Sequence, residues 1–426
     1  MTLKFHPRLR LFVLSALYFT QGIPTGFVTI TLAAFWAGQG YSAAAVAALL
    51  VVSYLPWALK LLYGPLVDQY AGSPMGRRRP WILGAQAGMA VSLVAMLLVP
   101  GVAHRPVVLA ALLFVHNAFG SLQDVATDAL AVDLLSPEER GRANGVMWGG
   151  KVLGIALGGA GLSTLMEQTS FKVALIVQVV ILGAVMLLPL LVRERSGEPR
   201  LAAPGAIWTA WQEAAAEQPG WRHVVDELIE AFRPTRARTV GGLALVAGLP
   251  TRMLVAIGPV FAVQAAGWTD LGYSQFAGGP ALLMGAVGAV SGGWIADRLG
   301  RRRTLLAAEG VLLALLTAFA FAQPWWNTTG VVAAFVGGGV LLDMTLKATL
   351  AALFMDVTRE HVAATQFTAY MTLGNLCNVL GSGLIIPLDA IMGFRGLFLS
   401  AAACSVGILA FLLWTPLRRT LQTASG

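Results

Sequence analysis

The chain has 426 residues, of which 57% are hydrophobic and only 12% are charged. Soluble domains carry about 25% charged residues, so this composition excludes an ordinary soluble protein and indicates a lipid environment. The formal net charge is +8, but most Lys and Arg residues lie at the termini and in alternate loops. That distribution is typical of membrane topology and not of nucleic-acid binding.

Twelve long apolar segments follow one another along the chain. A helix needs about 20 residues to cross a hydrocarbon core of roughly 30 Å, and the segments are close to or above that length. The first one lacks a small-residue cleavage site, so we interpret it as a membrane helix and not as a signal peptide. The predicted helices 1 to 12 lie near residues 11–36, 44–64, 81–100, 107–135, 143–166, 172–192, 239–265, 273–296, 304–322, 329–355, 365–388 and 395–415.

The loops between these helices alternate between rich and poor in basic residues. Only Arg105, Lys172 and Arg395 lie in the poorer set, and this bias predicts that both termini are cytoplasmic. Cys377 and Cys404 lie inside apolar segments without the spacing of a disulfide or metal site. We therefore predict that both cysteines are packing residues.

The longest loop, 193–238, separates two sets of six predicted helices. Apolar residues recur at helical spacing between Trp221 and Phe232, which predicts a short amphipathic helix on the cytoplasmic face. We therefore divide the chain into an amino-terminal half at 1–192, this linker, and a carboxy-terminal half at 239–426.

The two halves repeat each other. Gly-Ile-Pro-Thr at residues 22–25 recurs as Gly-Leu-Pro-Thr at 248–251, and the spacing Gly-x-x-x-Asp at 64–68 recurs at 293–297. Repeats of the same orientation, joined by a cytoplasmic loop, predict an all-α membrane protein of two parallel six-helix halves. Proline removes a backbone hydrogen bond, so both Gly-x-Pro motifs predict helix bends.

Each repeated aspartate precedes a Gly-Arg-Arg-Arg run, at 76–79 and at 300–303. This doubled pattern resembles the signature loop of the major facilitator superfamily, which implies twelve helices and transport by alternating access. The opposite charges favour ion pairs that cap neighbouring helix ends, hold the two halves together on the inside while the outside is open, and break as the halves rock. The predicted latch residues are Asp68, Arg77, Arg78, Asp133, Asp297, Arg301 and Arg302.

A narrower resemblance concerns the amino-terminal half. YFTQGIP at 18–24, Leu-Lys at 59–60, Gln-Asp at 123–124 with Asp128, and SPEERG at 136–141 resemble the AmpG-like branch of the superfamily. This branch includes muropeptide permeases, acetyl-coenzyme A transporters and the RhtX/FptX-type siderophore permeases. Because AmpG usually carries extra carboxy-terminal membrane segments, the length makes this chain most similar to the siderophore permeases.

Several acidic residues lie inside predicted helices, where an ionisable side chain costs about 3 kcal/mol, and three of them are candidates for proton coupling. Asp124 and Asp128 are four residues apart and share a face of helix 4. Two close carboxylates in a poorly hydrated site favour a proton on one of them, as a proton-coupled carrier needs. Asp343 lies four residues before Lys347 and is the third predicted coupling residue.

Basic residues inside the helices are candidates for binding an anionic cargo. Arg252 follows the repeated motif of helix 7, and its guanidinium can hold a carboxylate or phosphate with two hydrogen bonds. Lys151, Lys347 and Lys60 add positive charge, although the position of Lys60 near the interface favours a snorkelling residue. Ion pairs between helices remain the alternative for all of them. The other predicted lining residues are Gln21, Tyr18, Trp148, Asn375 and Asn378.

These patterns favour a transporter over an enzyme. The five His residues are scattered, and the chain lacks a Walker loop, a nucleophile elbow and a His-Glu-x-x-His motif. The resemblance implies a monomeric permease of the bacterial inner membrane, driven by the proton gradient and without a cofactor, that imports a partly anionic solute. We expect an iron-loaded siderophore, with an anhydromuropeptide as the alternative cargo. Efflux and a sensory role are the other possibilities.

Overall fold

The computed structural model describes residues 2–217, 221–358 and 363–415. Within these residues, twelve helices are long and apolar enough to cross a membrane. The prediction of an all-α protein with twelve membrane helices is therefore confirmed. In chain order, the membrane helices and two linker helices (α7 and α8) are α1 Pro7–Gly38, α2 Ala43–Gln69, α3 Arg79–Leu98, α4 Pro106–Leu134, α5 Glu138–Gln168, α6 Phe171–Leu191, α7 Pro204–Glu217, α8 Trp221–Phe232, α9 Thr235–Gln264, α10 Asp270–Leu299, α11 Arg301–Phe321, α12 Thr329–Val357, α13 Thr365–Asp389 and α14 Phe394–Trp414.

Local sequence sets where several of these helices begin. The Ser170 side chain accepts a hydrogen bond from the Val173 backbone N–H at 3.3 Å and so caps α6. Ser136 and Glu139 form a capping box before α5, in which each side chain satisfies a backbone N–H of the first turn. The predicted amphipathic helix is present as α8, between Trp221 and Phe232.

The repeated Gly-x-Pro motifs coincide with irregular helix geometry. In α9 the helix is interrupted between Val246 and Leu249, directly before Pro250. In α1 the helix runs through Pro24 and becomes π-helical over Phe27–Leu32. A proline inside a membrane helix is tolerated where the local backbone adjusts in this way.

The helices pack as two compact units. The amino-terminal unit contains residues 1–27 and 59–224, and the carboxy-terminal unit contains residues 28–58 and 225–426. The segment Val28–Ala58, which comprises the end of α1 and the start of α2, therefore packs with the carboxy-terminal unit. The boundary between the packed units thus differs at this segment from the boundary between the sequence repeats.

Within the amino-terminal unit, α1 and α5 approach until their backbones touch. A Cβ atom at Gly22, Gly154 or Gly158 would lie less than 3.0 Å from a carbonyl oxygen of the opposite helix, a distance that real Cβ atoms essentially never show. These glycines therefore permit the contact, as is common between membrane helices. At Gly161 the atoms nearest to an added Cβ belong to Leu157 of its own helix.

The carboxy-terminal unit has an aromatic core where α9, α11, α12 and α14 meet. Phe319 and Phe335 stack with their ring centroids 3.7 Å apart. Phe261 and Phe398 pack edge-on at 5.1 Å, and Trp326 contacts Phe398 at 5.9 Å. Edge-on geometry is a favourable arrangement for aromatic rings, so the edge-on contacts of this cluster help to fix the helices that carry the polar groups of the unit.

Candidate functional site

Four charged residues and a tyrosine form the amino-terminal charge cluster, which comprises Tyr18, Lys60, Asp124, Asp128 and Lys151. The Lys60 ammonium contacts the carboxylate of Asp124 and lies 3.1 Å from that of Asp128. Lys151 lies 3.9 Å from Asp124, and the Tyr18 hydroxyl donates a hydrogen bond to Asp128. Two cations and two anions thus balance, which reduces the cost of burying them.

The two carboxylates of this cluster differ in their access to water. Asp124 and Asp128 are one turn apart on α4, yet the Asp124 side chain is 6% exposed and the Asp128 side chain is 43% exposed. Lys60 reaches both because it begins the second part of α2, immediately after an interruption at Leu59. Asp128 is therefore the carboxylate that can exchange a proton with water in this packing.

Aromatic rings flank Lys151 on α5. Its ammonium lies 5.5 Å from the ring centroid of Tyr18 and 5.2 Å from that of Trp148, within the range of cation–π attraction. The two rings meet edge-on at 6.4 Å. Trp148 remains 46% exposed, so this cluster presents a flat aromatic surface beside a cation.

A second group, the carboxy-terminal charge cluster, comprises Thr251, Arg252, Asp343 and Lys347. The Asp343 carboxylate contacts the Arg252 guanidinium, lies 2.9 Å from the Lys347 ammonium, and accepts a hydrogen bond of 2.7 Å from the Thr251 hydroxyl. The side chain of Tyr54 also interacts with Arg252. Two cations share one carboxylate, so the cluster carries a net positive charge.

Exposure within this second cluster is uneven. The side chains of Arg252 and Asp343 are 8% and 10% exposed, whereas the Lys347 side chain is 47% exposed. Gly381 makes room for the arginine, because a Cβ atom there would lie 2.6 Å from the Cβ of Arg252. The buried pair of Arg252 and Asp343 is therefore fixed by its surroundings, whereas the Lys347 side chain remains accessible to solvent.

The structure assembles most of the predicted site residues into these two clusters. Gln21 is fully buried on α1, and its carboxamide has no hydrogen-bond partner among the described residues. Asn375 donates a hydrogen bond to the Trp57 carbonyl oxygen at 3.1 Å. This bond joins two helices, which is the alternative to a contact with cargo. Asn378 is half-buried one turn further along α13. The roles of these three residues in binding cargo stay predictions.

Lys60 contacts both carboxylates of the amino-terminal charge cluster. Its position near a helix end favoured an interface residue, but its ammonium bridges Asp124 and Asp128. Repulsion between the two carboxylates is thereby offset. The Leu-Lys pair at 59–60, part of the AmpG-like pattern, was the signal that could have identified it.

The predicted latch residues form ion pairs inside each unit. In the amino-terminal unit, Arg78 lies 2.7 Å from Asp68 and 2.9 Å from Asp133, while Arg77 lies 3.7 Å from Asp133. In the carboxy-terminal unit, Arg301 contacts Asp297 and lies 3.2 Å from Asp356, an acidic residue that the sequence analysis missed. Whether these pairs break during transport stays a prediction.

Arg302 does not pair with Asp297 as expected. Its guanidinium donates to the carbonyl oxygens of Leu412 at 3.0 Å and Leu413 at 3.2 Å, at the end of α14. The last carbonyl groups of a helix have no partner within it, so a guanidinium satisfies them well. Arg79 makes the same contacts at the end of α6, where the carbonyl oxygens are those of residues 189–190.

Glu194 is a further structural residue that sequence reasoning missed. Its carboxylate accepts backbone N–H bonds of 2.9, 2.8 and 2.7 Å from Arg77, Arg78 and Arg79, at the start of α3. Burial raises the pKa of Glu194, and the three N–H groups oppose this rise. The contact joins the start of the linker to the signature loop, and nothing local to Glu194 in sequence reveals it.

Comparison with known proteins identifies the family. The model of the Major Facilitator Superfamily matches residues 14–382. The chain belongs to this superfamily. Over 147 residues it is 33% identical to the anhydromuropeptide permease of Escherichia coli K12, a match that spans 34% of this chain and only 28% of that permease. It is 25% identical over 421 residues to a Rickettsia conorii protein named as an AmpG 4 transporter, covering 95% of this chain and 96% of that protein.

Solved structures of the superfamily share the fold. The nucleoside transporter NupG superposes with a TM-score of 0.69 at 12% identity, covering 97% of this chain and 100% of NupG. A POT family transporter in complex with 5-aminolevulinic acid superposes with a TM-score of 0.70 at 12% identity, covering 97% of both chains. At these identities the likeness concerns the fold alone. The family match and the twelve candidate membrane helices of the described residues together identify a multi-pass membrane transporter.

Proposed function

We propose that this superfamily member is a proton-driven importer of an anhydromuropeptide-type solute, a sugar that carries a short peptide with free carboxylates. The observation that carries the proposal is the carboxy-terminal charge cluster, in which Arg252 and Lys347 share the single carboxylate of Asp343. A cargo carboxylate can supply the missing negative charge. Lys347 receives it, because its side chain is 47% exposed.

The paired cations also suit a bound carboxylate chemically. Arg252 is held by Asp343 and Thr251, so its planar guanidinium is oriented before cargo arrives. A charge-assisted hydrogen bond is about twice as strong as a neutral one. We therefore infer that Lys347 makes the first contact with the cargo carboxylate. Arg252 then adds to the positive electrostatic potential at that carboxylate.

The amino-terminal unit has an exposed aromatic surface that suits a sugar ring. Trp148 is 46% exposed and lies beside Lys151. An aromatic face with a polar neighbour suits an amphipathic ring that has both C–H and hydroxyl groups. This combination supports a sugar-containing cargo.

The relatives shift the preferred cargo away from a siderophore. Length was the argument for a siderophore permease, but the Rickettsia conorii relative named for AmpG matches this chain over 96% of its own length. A protein named for AmpG therefore has similar dimensions. The iron-loaded siderophore stays the second candidate because its carboxylates would satisfy the same cations.

Proton coupling is assigned to the amino-terminal charge cluster. Asp128 is the half-exposed carboxylate, and it shares Lys60 with the buried Asp124. A proton on Asp128 removes one of the two anions that hold Lys60. The ammonium then depends on Asp124 alone, which weakens the connection between α2 and α4 and favours rearrangement of the unit. This proposal requires the proton gradient and no bound cofactor.

The experiment is whole-cell uptake in a strain that lacks its own muropeptide importer. Labelled anhydromuropeptide and an iron-loaded siderophore are compared, each with and without an uncoupler. Uncoupler-sensitive uptake of the muropeptide supports the proposal, and uptake of the siderophore alone moves the protein to the second candidate. If neither solute is taken up, the protein imports neither class of cargo and the proposal is wrong.

A matched pair of variants tests the cationic site. Lys347→Gln removes the accessible cation and should raise the KM for uptake at least tenfold. Lys172→Gln removes the same charge from an exposed position at the start of α6 and should leave the KM unchanged. Equal KM values for the two variants would show that Lys347 does not contact the cargo. Reporter fusions at each terminus test the proposed cytoplasmic orientation in the bacterial inner membrane.

A further inference from the structure

Glu309 on α11 is a buried acid that belongs to neither charge cluster. Its side chain is fully buried. In the part of the chain that the structure describes, neither of its carboxyl oxygens has a partner in hydrogen-bonding geometry. The nearest interacting hydroxyl is that of Ser405 on α14, which is itself buried and equally unpartnered. The pair faces the interior of the carboxy-terminal unit, where α11 packs on α14, α12 and α10.

No charge compensates Glu309. Among the described residues, no Lys, Arg or His lies within ion-pair distance of it. Of the titratable groups on the helices packed against α11, the thiol of Cys404 on α14 is the one that interacts with it. An ionised carboxylate in this setting is costly, because no cation among the described residues replaces its hydration. The packing around Glu309 is therefore compatible with the protonated, neutral form of its carboxyl group.

The repeat supplies an independent argument. The contacts of Arg79 with residues 189–190 recur, 223 positions later, as those of Arg302 with residues 412–413. At the same offset of 223 positions, Gln86 on α3 is the equivalent of Glu309 on α11. Gln86 is also fully buried, and its carboxamide lacks a hydrogen-bond partner among the described residues. A protonated glutamate has the shape and charge of a glutamine, so both halves hold a neutral planar group at this position.

We propose that Glu309 is a proton-binding residue of the carboxy-terminal unit, occupied in this packing, that exchanges its proton with water when the Ser405 side of α11 opens during transport. In that step the O–H bond of the carboxyl breaks and the proton passes to water. The remaining carboxylate then accepts a hydrogen bond from the Ser405 hydroxyl. Its role in coupling rests on the proposed proton drive, whereas its protonation does not depend on any cargo.

Infrared spectroscopy of the purified full chain in lipid tests the protonation. The wild type at neutral pH should show the C=O stretching band of a buried protonated carboxyl, and Glu309→Gln should lose it. Ser405→Ala should shift the band because it removes the neighbouring hydroxyl. Glu167→Gln serves as the matched control, since it removes an exposed acid at the end of α5 and should leave the band unchanged. A spectrum that Glu309→Gln does not alter would overturn the proposal.

Transport then tests the coupling. Glu309→Gln should fold, since glutamine already occupies the equivalent position in the other half. It should retain exchange of labelled for unlabelled muropeptide across the membrane, and its uncoupler-sensitive accumulation should fall at least fivefold. If the wild type accumulates cargo and Glu309→Gln accumulates it equally, the coupling role is wrong while the proposed function survives. If the wild type accumulates no cargo, the proposed function fails and the infrared result still decides the protonation.

Discussion

A single methyl group at Gly154 tests whether the contact between α1 and α5 sets the geometry of the amino-terminal charge cluster. In Gly154→Ala the new Cβ would lie less than 3.0 Å from the Phe19 carbonyl oxygen and 3.0 Å from the Cα of Gly22. Both obstacles are backbone atoms, so no side chain can rotate away. Ordinary contact begins at 3.4 Å, and the helices must therefore separate by about 1 Å.

The cost of this separation follows from the same contacts. Overpacking of a well-packed interior costs about 1–3 kcal/mol, whereas alanine gains about 1 kcal/mol over glycine in helix propensity. The net result is a less stable protein. Lys151, one turn before Gly154, lies 3.9 Å from Asp124, so a displacement of about 1 Å takes the ammonium beyond ion-pair distance.

Thermal unfolding in detergent and uptake in cells measure the two consequences. Gly154→Ala should unfold at a lower temperature than the wild type and transport more slowly. The control is Gly149→Ala on the same helix, where the new Cβ meets nothing within 4 Å and only the gain in helix propensity remains. If Gly154→Ala is as stable and as active as Gly149→Ala, the backbone contact does not determine the site.

Three further substitutions test the remaining assignments. Arg252→Lys keeps the charge beside Asp343 but removes the planar fork, so uptake should fall about tenfold at normal membrane levels; wild-type rates would show that only the charge matters. Asp128→Asn should permit uptake down a concentration gradient and abolish its dependence on external pH, and an unchanged pH profile would exclude this residue from coupling. Glu194→Gln removes the titratable group but keeps one acceptor oxygen for the backbone N–H groups at the start of α3. Because burial raises the pKa of Glu194, its contribution to stability is fully present below the ordinary glutamate pKa and declines as pH rises through the raised value. The difference in melting temperature between wild type and Glu194→Gln should therefore shrink from pH 4 to pH 8, and a difference that grows would contradict the assignment.

Sequence alone predicted the membrane helices well because their signal is length and hydropathy. α6 has a mean hydropathy of 2.7 over its most apolar window, and its predicted bounds of 172–192 fall within one residue of Phe171–Leu191. Errors arose where a local rule was overridden. We ended helix 2 near Pro65, but α2 continues to Gln69, because a proline is tolerated where neighbouring helices adjust around it.

The site was predictable only within single helices. Asp343 and Lys347 are four residues apart, and their side chains meet as that spacing requires. The bridge from Lys60 to Asp124 joins two helices, and spacing along one helix carries no information about which face meets a neighbour. The capping of α14 by Arg302 was missed for the same reason, since the run of arginines favoured the nearby aspartate.

The repeat shows which features the two halves share and which they vary. At the helix ends the contacts are retained at an offset of 223 residues: Asp133 pairs with Arg78 as Asp356 pairs with Arg301. Inside the membrane segments the same offset replaces Asp124 by a lysine, Lys347. The shared contacts are ion pairs at helix ends, where they join neighbouring helices of one unit. The altered residues carry opposite charges, so equivalent positions of the repeat give the two charge clusters different chemistry.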